Sequence, residues 1–182
     1  MSSNFGQAPR ITSILLITSG LVGIAIPAHS AEQDIDHFTL TVYSNTCGTQ
    51  ELLTGHYDEA LARLEASRVD DARLFESTNL CVAQIMTGHF DSARTTCDVA
   101  VKNARSSVAI PYWGARADAN QVDVAIAYAN RAVLHWLTDD TQSAASDLAQ
   151  AKQFAPKAEF VARGLIALNA QDQTAGTFRL AK

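Results

Sequence analysis

The side chains of this chain that are most able to take part in chemistry are its three cysteines, Cys47, Cys81 and Cys97. No two of them form the Cys-x-x-Cys motif of a redox-active pair. In an oxidising compartment a suitably placed pair forms a disulfide, and the odd count leaves one thiol over. In a reducing compartment all three would be small apolar side chains of the core. The role of the cysteines therefore depends on where the chain resides.

The histidines and carboxylates offer no catalytic or metal-binding arrangement. No two of the five histidines stand four residues apart, and the sequence His-Glu-x-x-His does not occur. The acid pairs Asp70-Asp71 and Asp139-Asp140 precede predicted helices, where carboxylates cap free N–H groups and face the positive end of the helix dipole. Gly-x-Ser-x-Gly, phosphate-loop and dinucleotide-binding motifs are missing from the sequence. We therefore expect no enzyme activity, no cofactor and no metal site.

Residues 1–31 have the pattern of a secretory signal peptide. They contain one base and no acid, and an apolar run over residues 11–26 ends at a proline. We expect the cut after Ser30, with Ala28 and Ala31 as alternative cut points. A retained membrane anchor is the rival interpretation, but the run is short for a span and is diluted by Ser and Thr. The pattern predicts a periplasmic or secreted protein without stable membrane insertion, in which a disulfide can form.

Length and charge narrow the class of protein further. The chain has 182 residues, of which 47% are hydrophobic, and a net charge of −5. These values suit one globular domain. Lys and Arg do not cluster, so we expect no nucleic-acid partner.

A repeated motif predicts the fold. The sequence Gly55-His-Tyr-Asp-Glu-Ala60 recurs 33 residues later as Gly88-His-Phe-Asp-Ser-Ala93. Apolar residues at helical spacing lie on both sides of each glycine, so each copy predicts a helical hairpin that turns at its glycine. A fixed period of this size is typical of helical repeat arrays.

These copies resemble the tetratricopeptide repeat family, whose unit is a helix–turn–helix of about 34 residues. The matching features are the turn glycines Gly55 and Gly88, the aromatic residue two places later, and the small residues Ala60 and Ala93. Short side chains at these last positions let the two helices of a hairpin approach closely.

A third copy is eroded and follows an insertion. Asp139 takes the place of the turn glycine, Ala144 takes the small position, and Pro156 ends the second helix. Gly88 and Asp139 are 51 residues apart, which is longer than one repeat. We therefore expect an insertion near residues 105–121.

The resemblance implies an all-α domain over residues 46–170. It would consist of about three stacked helical hairpins in a right-handed superhelix of tetratricopeptide type, followed by a C-terminal capping helix. Before it, apolar residues alternate with threonines from residue 38 to 42 and predict an extended leader over residues 32–45. After it, the polar residues 171–182 predict a flexible tail.

The second hairpin also predicts a disulfide. Residues equidistant from the turn of an antiparallel hairpin face each other, and Cys81 and Cys97 are equidistant from His89. Helix axes about 8–10 Å apart bring facing side chains within disulfide reach. We predict the pair Cys81–Cys97, with Cys47–Cys81 across neighbouring repeats as the rival.

In tetratricopeptide arrays the first helices of the hairpins line a concave surface that holds peptides. Transferred by position, the resemblance implies a mostly apolar groove without the Lys, Arg and Asn cluster that clamps a peptide carboxylate in some members. Its lining residues would be Thr78, Val82, Ile85 and Met86 in the second hairpin, Ala129, Val133, Trp136 and Leu137 in the third, and Asn45, Thr49, Leu52 and Leu53 in the first.

Two functions follow, depending on whether this groove is open. An open apolar groove predicts an exported scaffold that binds a protein or peptide partner. A groove covered by Phe38, Leu40 and Val42, or by the insertion, predicts a structural component of an envelope assembly with no free ligand site. We favour the scaffold that binds a protein or peptide, with the structural component as the alternative.

Overall fold

The computed structural model describes residues 38–44, 46–67, 74–108 and 115–179. Over these ranges the chain forms helices, tight turns and one extended N-terminal segment, and no strand. The predicted all-α class is therefore confirmed for the described part of the chain. The helices are α1 (Thr49–Thr54), α2 (Tyr57–Ala66), α3 (Leu74–Met86), α4 (Phe90–Val108), α5 (Ala115–Leu137), α6 (Thr141–Phe154) and α7 (Glu159–Arg179). The predicted signal peptide, Asn45 and the pair Asp70-Asp71 lie outside the described residues.

Three turns of one geometry join α1 to α2, α3 to α4 and α5 to α6. Gly55, Gly88 and Asp139 have left-handed φ angles of 81°, 76° and 60°. In each turn the next residue donates its N–H to the carbonyl oxygen five residues earlier, at 2.8 Å. This bond closes the preceding helix in a Schellman motif, which requires a left-handed residue. The eroded third copy thus makes the same turn as the two copies that have glycine.

The two acids at the third turn, Asp139 and Asp140, have different roles. Asp140 caps α6, because its carboxylate accepts a hydrogen bond from the N–H of Ser143 at 3.1 Å. Hydrogen bonds from the side chain and then from the backbone of Ser143 lower the pKa of Asp140. Asp139 occupies the left-handed turn position instead of capping, which differs from the role that we expected for both acids.

Small side chains let the paired helices touch. Ala60, Ala93 and Ala144, each five residues after its turn, are fully buried. In the first pair of helices a Cβ at Gly48 would lie only 3.0 Å from the Leu64 side chain. The positions equivalent to Gly48 and Leu64 in the second pair are Cys81 and Cys97, which form a disulfide with a Cα–Cα distance of 5.0 Å.

The disulfide therefore joins the pair that the turn geometry predicts. Both of its cysteines are buried, with at most 1% of their surface exposed. Cys47 is free and half-buried, and its thiol donates to the carbonyl oxygen of Arg63 at 3.5 Å. The rival pairing of Cys47 with Cys81 does not occur.

The predicted insertion lengthens the helices α4 and α5 on either side of it. Within the predicted insertion, residues 105–108 continue α4 and residues 115–121 begin α5, so both flanks of the insertion lengthen helices. At the other end α7 runs to Arg179, and the described part of the predicted tail is helical.

A half-buried arginine connects three of the helices. Arg131 on α5 donates to both carboxylate oxygens of Asp147 on α6 at 2.8 Å, and to Asp98 on α4 at 2.7 Å. The hydrogen bond to Asp147 makes the largest contribution to the raised pKa of Arg131. Helix α3 also contacts α5, and α5 contacts α7. The first helices of the second and third pairs, α3 and α5, therefore lie side by side, and α7 lies beside α5. In the described part of the chain no helix is long and apolar enough to cross a bilayer.

Candidate functional site

Residues 38–43 of the leader lie across α5 and α3, where the groove was expected. The Phe38 ring lies 4.9 Å from the Trp136 ring on α5, and the Tyr43 ring lies 4.4 Å from the Phe75 ring on α3. Between them, Leu40 packs on the buried cluster that contains the disulfide, and Leu40 and Val42 pack on the cluster of the first helical pair. The leader therefore spans all three pairs of helices.

Two asparagines hold the leader by its main chain. The N–H of Thr41 donates to Oδ1 of Asn130 at 2.9 Å, and Nδ2 of Asn130 donates to the carbonyl oxygen of Thr41 at 2.8 Å. Asn79 makes the same pair of bonds with Tyr43, at 2.8 Å and 3.0 Å. We refer to these two contacts as the asparagine clasps.

Each clasp makes the same hydrogen bonds to the leader that a neighbouring β-strand would make. A carboxamide offers one donor and one acceptor side by side, as a peptide group does. In an extended chain, residues two apart present their N–H and C=O groups along the same edge. Thr41 and Tyr43 satisfy this pattern, so the clasps recognise extended backbone and read no side chain.

Both clasping side chains are deeply buried, with 0% of Asn79 and of Asn130 exposed. A buried carboxamide without partners costs free energy, because it loses its bonds to water. The leader supplies both hydrogen-bond partners of Asn130 and two of the four partner atoms of Asn79. The two carboxamides therefore have all their hydrogen-bond partners only when an extended segment occupies the groove.

The C-terminal end of the leader is anchored a second time. The Tyr43 hydroxyl donates to Oδ1 of Asp123 on α5 at 2.8 Å, and the Tyr43 carbonyl oxygen accepts from Oγ1 of Thr49 on α1, also at 2.8 Å. Burial raises the pKa of Asp123, and the bond from Tyr43 partly offsets that rise. Burial, followed by the bond to Asp123 and its charge, raises the pKa of Tyr43.

The predicted lining residues are for the most part the buried floor beneath the leader. Trp136 is half-buried against Phe38, and Leu137 is half-buried too. Met86 and Leu53 are exposed, at 40% and 66%. The remaining lining residues of the described part are buried, namely Thr78, Val82, Ile85, Ala129, Val133, Thr49 and Leu52.

Sequence reasoning missed the two clasping asparagines. Asn79 and Asn130 stand nine residues before Gly88 and Asp139, so they occupy the same position of the repeat. Identical polar residues at one position of two repeat copies would have marked them. Thr46 has that position in the first copy, and its hydroxyl accepts from Asn79 at 2.6 Å.

In the described part of the chain, no group of three or more His, Cys, Asp or Glu side chains could hold a metal ion. The site consists of two buried carboxamides, those of Asn79 and Asn130, which bond to main-chain groups above a mostly apolar surface.

Comparison with known proteins gives no further guidance: no family model, curated protein or solved structure matches this chain significantly.

Proposed function

We propose that this protein is an exported, non-catalytic scaffold of the tetratricopeptide type, whose concave face binds an extended polypeptide segment. The three equivalent turns and the buried alanines that follow them support the repeat assignment. The side-by-side contacts of α3, α5 and α7 fit the superhelix expected for such an array. The signal-peptide pattern and the buried disulfide support export to an oxidising compartment.

The asparagine clasps carry the proposal. A groove that served only as a packing surface would need apolar side chains, whereas this one buries two carboxamides at the same repeat position. Each of them bonds to both the N–H and the C=O of one residue of an extended segment. Main-chain recognition of this kind suits a site for extended polypeptide.

The leader is the resident occupant of this site. Because it belongs to the same chain, its effective concentration at the groove is high, on the order of millimolar for a short tether. A partner segment must therefore either displace the leader or bind beside it.

A structural role with a sealed groove is the second candidate. The observation that favours it is the bond from Thr49 on α1 to Tyr43, which ties the leader to the first helix that follows it. In that case the leader is a permanent part of the fold, and partners of the protein would bind elsewhere. Affinity capture from envelope extract with wild type and Trp136→Ala separates the candidates, since a sealed groove predicts the same partners for both.

A peptide-binding measurement tests the main proposal. A chain that lacks residues 1–43 leaves the groove empty, and the probe is a fluorescent peptide of residues 37–44. We expect saturable binding, followed by anisotropy, and at least a tenfold loss of affinity in Asn79→Ala and Asn130→Ala. Asn169→Ala is the matched control, because Asn169 is exposed on α7. If the truncated chain is folded by circular dichroism and does not bind the probe, the proposal is wrong.

A further inference from the structure

The groove contacts the side chain at the N-terminal end of the bound segment through an aromatic pair. The Phe38 ring lies 4.9 Å from the half-buried Trp136 ring on α5. A Cβ placed on Gly164 of α7 would lie 3.6 Å from Cε1 of the same phenylalanine. This position is therefore bounded by an indole on α5 and by a glycine on α7, and it suits a flat aromatic side chain.

At the other end of the bound segment the groove recognises a hydroxyl group. The Tyr43 ring lies 4.4 Å from the Phe75 ring, and its hydroxyl donates to Oδ1 of Asp123 at 2.8 Å. Asp123 is half-buried, and in the described part of the chain its carboxylate has no hydrogen-bond or ion-pair partner besides this hydroxyl. A carboxylate that loses water needs a donor in its place, and phenylalanine in place of Tyr43 would not supply one.

Between these two ends, apolar positions alternate with positions that the groove does not recognise. Leu40 and Val42 pack on buried clusters of the helical pairs. The hydroxyls of Thr39 and Thr41 make no hydrogen bond to the residues that the structure describes. The bound segment therefore has the pattern aromatic-x-aliphatic-x-aliphatic-tyrosine, and it carries no charge over residues 38–43.

We propose that Asp123 and Trp136 determine which segments the groove accepts, and that the partner carries an uncharged segment of this pattern. The asparagine clasps hold any extended backbone, whereas Asp123 favours a hydroxyl donor at one position. A site that hydrogen-bonds a hydroxyl discriminates against the analogue that lacks it, because the acceptor is left unpaired. The carboxylate also disfavours an acidic residue there, since like charges repel. This inference rests on the proposed function and names the class of segment that the groove selects.

Peptide binding to the whole chain tests this selection. Thr41→Pro and Tyr43→Phe together remove one clasp N–H and the hydroxyl from the protein's own leader, so this leader competes weakly. We call this variant the weakened-leader protein. We expect a fluorescent peptide of residues 37–44 to bind it saturably in anisotropy measurements. The same peptide with Tyr43→Phe should bind about tenfold more weakly, and the peptide with Thr39→Ala should bind equally well.

Replacement of the acceptor should abolish the preference. In the weakened-leader protein with Asp123→Leu, the tyrosine and phenylalanine peptides should bind with equal affinity. Asp118→Leu is the matched control, because Asp118 is an exposed acid of the same helix, and it should keep the tenfold preference. A structural defect would weaken both peptides and leave their ratio unchanged. The peptide with Phe38→Ala should likewise bind about tenfold more weakly, and Trp136→Ala in the protein should remove that difference.

The outcomes separate this inference from the proposed function. Equal affinity of the tyrosine and phenylalanine peptides for the protein that keeps Asp123 overturns the inference alone. Absence of binding by either peptide contradicts the proposed function, and the inference fails with it. If sedimentation shows that the wild-type chain forms a dimer that Tyr43→Phe dissociates, the groove takes the leader of a second copy, which overturns the proposal of a separate partner.

Hydrogen exchange in the otherwise unaltered chain gives a test without proline. Tyr43→Phe and Asp123→Leu should each speed exchange of the Thr41 amide about tenfold, because each removes the same bond. The double variant should exchange no faster than either single variant. If the two effects multiply to about 100-fold, the hydroxyl and the carboxylate act independently and the inference is wrong.

Discussion

Replacement of the clasping asparagines should destabilise the fold by an amount that depends on the leader. Asn79 accepts from the N–H of Tyr43, and its two Nδ2 hydrogens are shared among three acceptors, the C=O of Tyr43 and the hydroxyls of Thr46 and Thr49, so about three hydrogen bonds form at one time. Asn130 makes two, both to Thr41. At about 0.5–1.5 kcal/mol for each bond, Asn79→Ala should cost about 1.5–4.5 kcal/mol and Asn130→Ala about 1–3 kcal/mol.

Urea unfolding followed by circular dichroism measures these costs. Asn169→Ala is the control and should change the free energy of unfolding by less than about 0.5 kcal/mol, because Asn169 is exposed. The slope of the unfolding free energy against urea should not change, since the variants bury similar surface.

The decisive comparison repeats Asn130→Ala in the chain that lacks residues 1–43. Without the leader Asn130 has neither of its hydrogen-bond partners, so the substitution should cost about zero there, or even stabilise the chain by removing an unpaired carboxamide. The coupling between Asn130 and the leader should therefore equal most of the cost in the whole chain. If Asn130→Ala costs the same with and without the leader, the clasp does not hold the leader and the reasoning is wrong.

Three further predictions concern the rest of the fold. Replacement of Cys81 and Cys97 by Ala should lower the free energy of unfolding by about 2–4 kcal/mol in denaturant titrations, and an equal stability of the two chains would contradict it. Asp139→Gly should raise stability by about 0.5–1 kcal/mol, because glycine adopts the φ of 60° without strain, and a lower melting temperature would refute this. Because the pKa of Asp123 is raised in the fold, its proton binds more tightly there than in the unfolded chain, so this residue costs stability as the pH rises from the usual aspartate range through the raised pKa. Asp123→Asn, which keeps an acceptor for Tyr43, should remove that loss from the pH profile of unfolding, and an unchanged profile would count against it.

The turn motif explains why so much of the fold could be predicted. Gly55 and Gly88 are required by a left-handed turn, and the turn fixes which residues of a hairpin face each other. Cys81 and Cys97 could be paired on that basis before any coordinates were known. At Asp139 the glycine is missing, yet the position in the repeat identified the same turn.

The occupant of the groove could not be predicted in the same way. Phe38, Leu40 and Val42 indicated an extended segment, and the sequence offered this segment and the insertion as two possible covers of the groove, but nothing in their pattern decides between the two or says that the groove is covered. That choice depends on Asn79 and Asn130, which are far from the leader in the sequence and which the search for apolar lining residues passed over. The helical flanks of the insertion were likewise missed, because a departure from the repeat period shows that residues are added and does not show their conformation.

Hydrogen exchange of four leader amides tests the central claim most directly. In the native protein the amides of Thr41 and Tyr43 donate to buried asparagines, and those of Leu40 and Val42 donate to no group of the described chain. If local opening of the leader costs about 3 kcal/mol, the first two amides should exchange about 100-fold more slowly than the second two. Alternating protection of this kind is the result that we expect, and equal exchange rates at all four positions would show that the leader does not lie in the groove.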